Sequence, residues 1–333
     1  MNLTEWSQWL ERIRTEYRMA GMACAVTDEK QLLLAEGYGV TSMEKPWDRV
    51  GADTLFRFAS NTKLTVALSA MILFERGELD LDAPVRKYIP WFSMSDRITM
   101  RKMLSHMAGL PAEYTPDGLL DEDRLEETVR SGLEKIELVH DPDSGIFLYS
   151  NWGYRLASVA MMHITGKLPG VYIRELVLSP LGMEHSTFDV REAITYSVAL
   201  PHACGPSLMH YMPLNASRNA AGGLFSTVSD MACLARLILN EGTPLISPHS
   251  WQQMVTPYSR NEKDGYAYGL ALMLKEFSGV PCIGHTGSNP PYRSCIWTVP
   301  SRRTAVIFAS NTHDGEILTK KIIPEEFSRM DLT

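Results

Sequence analysis

Phe58-Ala59-Ser60-Asn61-Thr62-Lys63 runs directly into an apolar stretch over residues 64–73. Residues three apart on a helix share a face, so the Lys63 amine can reach the Ser60 hydroxyl. A serine hydroxyl is a weak nucleophile until a neighbour takes its proton, and a lysine does this only where its surroundings hold it neutral. Burial among Ala59, Leu64, Ala67 and Leu68 supplies that setting. The competing reading makes Ser60 a helix N-cap, a position serine fills well, and on spacing alone the two weigh equally. A second Ser-x-x-Lys occurs at Ser42-Met43-Glu44-Lys45, but Pro46 follows it. Proline turns Lys45 away from helical geometry, 41–48 reads as a loop, and this copy is set aside as chance.

Outward from Ser60 the chain divides by hydrophobic period. Trp6, Trp9, Leu10, Ile13 and Tyr17 recur at helical spacing, with Asn2 and Glu5 placed to cap them, so 3–18 is an amphipathic helix. Strands are expected at 22–27 and 31–38, around the turn Asp28-Glu29-Lys30. After the Ser60 helix ends near Gly77, helices are expected at 99–105, 123–133, 152–165, 171–178 and 229–239. Strand signals return at 266–274, 281–286, 292–299 and 304–310. Strands at both chain ends pack most simply as one antiparallel sheet covered by the N- and C-terminal helices. The mainly helical middle is then an inserted domain, an α+β architecture. The division expected is 1–60 plus 266–333 for the sheet domain and 61–265 for the helical one, with the active site in the cleft between them.

Composition removes several function classes. The net charge of −7 and the scattered basic residues argue against nucleic acid, whose phosphates need a basic stripe. No apolar run approaches the roughly 20 residues a membrane span requires. The opening Asn2-Leu3-Thr4-Glu5-Trp6 has no basic region with an apolar core, so no secretory signal is read and a cytoplasmic location is expected; a chain trimmed of such a leader would read the same. Five cysteines, Cys24, Cys204, Cys233, Cys282 and Cys295, are odd in number and irregularly spaced, and read as free thiols.

Two further stretches outweigh the capping reading. Tyr149-Ser150-Asn151 precedes a helical run, and Gly284-His285-Thr286-Gly287 sits in a strand-like segment. With Ser60 and Lys63 they resemble the three motifs of the penicillin-recognising serine enzymes. The match is to the class C β-lactamase-like branch, whose second motif is Tyr-x-Asn and which includes β-lactamases, DD-peptidases, D-aminopeptidases, esterases and acyltransferases. The likeness extends through Gly77-Glu78-Leu79-Asp80-Leu81-Asp82-Ala83-Pro84, Leu104-Ser105-His106-Met107-Ala108-Gly109-Leu110-Pro111, Pro180-Leu181-Gly182-Met183 and Ala221-Gly222-Gly223-Leu224-Phe225-Ser226-Thr227. It implies the same sheet-plus-helices architecture, with the serine in the cleft. It also implies that Ser60 is acylated while Lys63 and Tyr149 handle its proton, either of them serving as the base. A buried ammonium beside a phenol lowers the phenol's pKa, so both can belong to one relay. Asn151 would orient a substrate amide and hold Lys63 through its side-chain oxygen; its bland role is a cap before Trp152. The oxyanion would take the backbone N–H groups of Ser60 and Ser288, with His285, Thr286 and Gly287 lining the substrate, and Gly287 letting the substrate approach the strand.

His285 departs from the better-known lysine of the third motif. A histidine holds a substrate carboxylate only while protonated, so such binding is expected to fade as pH rises through about 6.5. Asn289-Pro290-Pro291-Tyr292 also departs, lacking the usual glycine before the aromatic, and is expected to stiffen the cleft rim. His202-x-Cys204 with His210 lacks a matched second pair of metal ligands, and a loop lining the cleft is the stronger reading. Met209 and Met212 fit an adaptable apolar wall or ordinary packing equally well. No Gly-x-Ser-x-Gly occurs, which leaves the α/β-hydrolase route unsupported. The function expected is a serine hydrolase needing no cofactor or metal, acting on a small ester, amide or D-amino-acid peptide. The alternatives are a β-lactamase or DD-carboxypeptidase, an acyltransferase, and a non-turnover penicillin-type sensor. The sensor ranks lowest, because no output domain or membrane segment is read.

Overall fold

The computed structural model describes residues 1–112, 124–203, 207–209, 219–312 and 315–330. The chain begins with helix α1 (Leu3–Glu16), started by a capping box in which the Asn2 side chain accepts from Glu5 N–H and the Glu5 carboxylate accepts from Asn2 N–H. Strands β1 (Gly21–Asp28) and β2 (Leu32–Gly39) form the expected hairpin. The short β3 (Phe56–Arg57) leads into α2 (Thr62–Glu75), α3 (Met100–Leu104), α4 (Leu125–Leu133), α5 (Asn151–Thr165) and α6 (Pro169–Ile173), the last continuing as a π-turn over Arg174–Leu178. Then come α7 (Val190–Ala193), α8 (Asn219–Gly222), β4 (Phe225–Ser226), which pairs with β3, α9 (Val228–Leu239) and α10 (Pro248–Val255). Strands β5 (Ser259–Asn261), β6 (Tyr266–Tyr268), β7 (Met273–Phe277), β8 (Val280–Asn289), β9 (Tyr292–Val299) and β10 (Thr304–Ser310) precede the final helix α11 (Ile323–Arg329).

Eight strands make one antiparallel sheet in the order β2-β1-β10-β9-β8-β7-β6-β5. Side chains alternate faces along a strand. Met22, Cys24 and Val26 of β1, with Val306 and Phe308 of β10, pack under α1 and α11, whose Trp6 and Phe327 rings meet edge-on at 6.0 Å. Ala23 and Ala25, with Ala305, Ile307 and Ala309, belong to the opposite core, where α9 lies across β1 and β10. This is the expected α+β fold.

Helix α2 has no solvent face, being buried continuously from Thr62 to Leu73. A helix buried all round is a central helix, and here it fixes the serine at its N-terminal end against the rest of the protein.

The strand expected over 266–274 is two strands. Leu270, Ala271 and Leu272 turn into the helical core, Leu270 N–H donates to Met254 O at 2.9 Å, and a Cβ on Gly269 would stand 2.0 Å from that same carbonyl. The sheet also begins earlier than expected, at β5. Among the described residues, no helix is long and apolar enough to cross a membrane.

Candidate active site

Ser60 lies on a 3-10 turn, Ala59–Asn61, that opens into α2. Ala59 has φ 47°, a left-handed conformation that costs a non-glycine residue and persists only where its surroundings hold it. They do so here through several bonds. Thr62 Oγ1 donates to Ala59 O at 2.6 Å, and Asn61 Nδ2 donates to Phe58 O at 3.2 Å and to Ser294 Oγ on β9 at 2.9 Å. Ser294 Oγ donates to Phe58 O at 2.8 Å. Buried Arg57 anchors the turn from below: its Nη2 reaches Gly222 O at 3.4 Å, and with the Asn289 amide oxygen facing it the guanidinium donates at 3.2 and 3.3 Å. Ser60 is therefore no cap. The N-cap position of α2 is Asn61, which makes no side-chain capping bond.

The Ser60 hydroxyl meets Lys63 Nζ at 3.0 Å. Lys63 is fully buried and also donates to Asn151 Oδ1 at 2.8 Å and to the main-chain oxygen of Ala221 at 2.7 Å. Those two oxygens can only accept, so the amine must donate to both; toward Ser60 it can donate as an ammonium or accept as a neutral amine. Its nitrogen stands 5.0 Å from the Tyr149 ring centre and 5.3 Å from that of Tyr154. Burial disfavours the ammonium, while the oxygens and ring faces favour it. Asn151 is the first residue of α5, and its side chain serves Lys63 where a cap would serve the helix. Ser42 and Lys45 sit in a turn closed by Lys45 N–H to Ser42 O at 3.0 Å, as expected of the chance copy.

Strand geometry explains the third motif. The β7–β8 hairpin turns through Ser278 and Gly279, both at positive φ, and closes on the pair Phe277–Val280. A two-residue turn of this type closes on a hydrogen-bonded pair, and alternate β8 residues then aim their N–H and C=O toward β7. β7 ends at Met273, opposite Gly284. Beyond it the same groups of Thr286 and Ser288 lie past the end of β7, at an open edge, although the Thr286 carbonyl already accepts from His285 Nδ1. Ser60, Tyr149, Asn151, Thr286 and Ser288 line one cleft of about 470 Å³, which continues over Tyr266, Met273 and Trp297 to Asp264, Lys275 and Lys320.

Gly287 has a different reason from the one expected. A Cβ there would lie 2.3 Å from Phe58 O and 2.3 Å from Ser294 Oγ, so the glycine lets β8 pack on the serine's turn, and the close approach is between two parts of the protein.

His285 is a correction. It points to the opposite face from Thr286, is fully buried, and does not line the cleft. Its Nδ1 lies 2.6 Å from Thr286 O, an obligate acceptor, so Nδ1 carries the proton and Nε2 accepts from Tyr268 OH at 2.9 Å. Burial first, then the Lys63 charge, pushes its pKa down to about 3. It is a neutral ring near physiological pH and cannot titrate against a substrate carboxylate around 6.5.

His202 is likewise structural, with Nε2 accepting from Met43 N–H at 3.1 Å and Nδ1 facing Leu200 O at 2.8 Å. Cys204, His210 and Met212 lie outside the described residues; among those described, no cluster of three His, Cys, Asp or Glu side chains could hold a metal. Tyr292 is buried, its hydroxyl donating to Ala199 O at 2.7 Å, which ties the end of the β8–β9 hairpin to the buried segment at Ala199. Cys24, Cys233, Cys282 and Cys295 are free thiols. Sequence reasoning missed the Ala221 carbonyl, which no side chain announces, and the Tyr154 ring beneath Lys63.

A family model described as Beta-lactamase matches residues 6–321. Penicillin-binding protein 4 of Amycolatopsis lactamdurans is 26% identical over 93% of this chain and 85% of its own length. Unguisins hydrolase ungD' of Aspergillus campestris is 25% identical over 92% of this chain, which spans only 61% of that relative. Among solved structures, D-amino acid amidase from Ochrobactrum anthropi SV3, complexed with L-phenylalanine amide, superposes with a TM-score of 0.79 at 22% identity, covering 98% of this chain and 96% of that one. Matched over nearly its whole length by that model, the chain belongs to the Beta-lactamase family.

Proposed function

We propose that this protein is a serine hydrolase that acts through an acyl-enzyme on Ser60 and cleaves small amides or esters, D-amino-acid amides and peptides foremost. The observation that carries the reading is the Lys63 amine set 3.0 Å from Ser60 Oγ and fixed by Asn151 and Ala221 at the floor of the cleft. Ser60 Oγ attacks the carbonyl carbon, and its proton passes to the Lys63–Tyr149 pair. The N–H groups of Ser60 and Ser288 receive the developing oxyanion. The relayed proton then goes to the leaving amine or alcohol as its bond to the carbonyl carbon breaks, and water repeats the sequence to release the acid. Asn151 holds the lysine and one polar group of the substrate, while the open edge at Thr286 and Ser288 offers backbone partners to an extended substrate.

The apolar stretch at Tyr266, Met273 and Trp297 suits an uncharged side chain. The name of the D-amino acid amidase that shares the fold supports an amide. With His285 neutral, the third motif contributes no cation, which favours neutral substrates over penicillins, whose carboxylate lies near the reacting carbonyl.

The test is intact-protein mass spectrometry after mixing with a short-chain nitrophenyl ester, a D-amino amide and a cephalosporin. The ester and amide should leave a transient acyl mass that Ser60→Ala abolishes. Full hydrolysis by Ser60→Ala, or faster turnover of the cephalosporin than of either neutral substrate, rejects the reading.

A further inference from the structure

His106 lies directly beneath Tyr149 and has no role in the chemistry above. It is 1% exposed and its backbone sits at φ 59°, a left-handed conformation uncommon for a residue with a side chain. Its carbonyl oxygen accepts from Leu148 N–H at 2.9 Å, and its Nδ1 accepts from Ser150 N–H at 3.1 Å. One residue thus grips the chain on both sides of Tyr149. The imidazole also lies against the phenol ring, with centroids 4.1 Å apart and planes inclined by 36°. Since a backbone N–H can only donate, Nδ1 must be unprotonated and the ring proton must sit on Nε2. That Nε2 is buried without a hydrogen-bond partner, among the rings of Phe147, Tyr154 and Tyr268. A strained backbone and an unmatched buried donor are both unfavourable, and their retention at one residue points to what its other atoms do.

We propose that His106 is a positioning residue for Tyr149, holding the phenol at its station beside Lys63 by clamping Leu148 and Ser150 and backing the ring. This rests on the reading of Tyr149 as part of the proton relay. Burial keeps the imidazole neutral, as an acceptor at Nδ1 must be, and Lys63 in its ammonium form acts in the same direction. The clamp also explains the register of the neighbouring loop: Ser150 Oγ donates to Pro111 O at 2.7 Å, so the segment after His106 runs beside the segment that carries Tyr149 and Asn151.

Two measurements on the full chain test this. Long-range ¹⁵N–¹H spectra of the labelled wild-type protein should show His106 with a proton on Nε2 and none on Nδ1; the opposite tautomer overturns the clamp whatever the activity. Kinetics then compare His106→Ala, His106→Phe and His106→Asn on a D-amino amide and on a nitrophenyl ester. A misplaced proton carrier harms the poor leaving group most, since nitrophenolate departs without a proton. His106→Ala and His106→Phe, which lack the acceptor, should lose about 100-fold in kcat on the amide, the scale of an ångström-sized misplacement, and much less on the ester. His106→Asn, which offers an acceptor oxygen and tolerates the left-handed backbone, should recover part of the amide rate. In a Tyr149→Phe background the His106 changes should cost little more. Equal losses on both substrates, or full multiplication with Tyr149→Phe, mean a merely structural histidine. If wild type is never acylated at Ser60, the proposed function fails, and the clamp is decided by the spectra alone.

Discussion

Acid should destabilise this protein through His285 before it protonates the native ring. The imidazole is buried, hydrogen-bonded through both nitrogens, and has a native pKa of about 3. In the unfolded chain the same group titrates near 6.5. Between those values the unfolded state binds a proton that the native state refuses. Stability therefore falls as pH drops from about 6.5 toward 3, and this contribution is flat above 6.5. Each pH unit is worth about 1.4 kcal/mol per proton once the unfolded imidazole is fully protonated, so moving from pH 6.5 to 4.5 should cost about 2 kcal/mol at this residue. His106, also lowered by burial, acts in the same direction. Equilibrium urea unfolding at pH 7.5, 6.5, 5.5 and 4.5 should show this slope. His285→Gln, though less stable at pH 7.5, should show a slope shallower by one proton. Identical slopes, or a native His285 that titrates near 6.5 by NMR, would refute the reasoning.

Other outcomes follow from the same contacts. Lys63→Ala and Tyr149→Phe should each cut acylation of Ser60 by roughly 100- to 10,000-fold, the range of positioned proton transfer, and the double variant should lose far less than the product; fully multiplicative losses in stopped-flow acylation would separate the two residues. Gly287→Ala should destabilise by about 1–3 kcal/mol, since its methyl would overlap Phe58 O and Ser294 Oγ at 2.3 Å, and an unfolding midpoint equal to wild type would contradict the packing. His285→Lys should lower stability and leave kcat/KM for carboxylate-bearing substrates unimproved, because the new ammonium would be buried beside Lys63; improved cephalosporin turnover at pH 8.5 would show that position 285 reaches the cleft after all.

Most of the fold was legible because its signals are local. Asn2 and Glu5 announce α1, and the apolar runs of β1 and β10 announce two strands, although both faces of each are buried and only the structure assigns the side chains to their two cores. The Ser60–Lys63 pairing is permitted by helical spacing and is selected over the Ser42–Lys45 copy by the unbroken helix that follows it and by the two further motifs. What escaped depends on packing between distant segments. Residues 270–272 look like strand because they are apolar, yet they serve the helical core. β5 is short and polar, with nothing to alternate. Helix α10 does have a local start signal, Ser247 before Pro248, whose capping bond Ser250 N–H to Ser247 Oγ is formed, and that signal was passed over.

The third motif shows why residue identity reads chemistry less surely than strand parity does. Gly284, Thr286 and Ser288 share one phase of β8, and His285 and Gly287 share the other. The phase of Thr286 and Ser288 turns its backbone groups to the open edge, while the phase of His285 and Gly287 packs against the turn that carries Ser60. A histidine in the second phase has its hydrogen bonds satisfied from within, and burial settles its charge before any substrate arrives. A neutral ring there also spares Lys63 a neighbouring cation, since two ammonium groups in that space would each disfavour the other's charge. In the proposed mechanism His285 thus acts on the site through the charge it withholds from Lys63, and proton transfer at Ser60 falls to the lysine and to Tyr149.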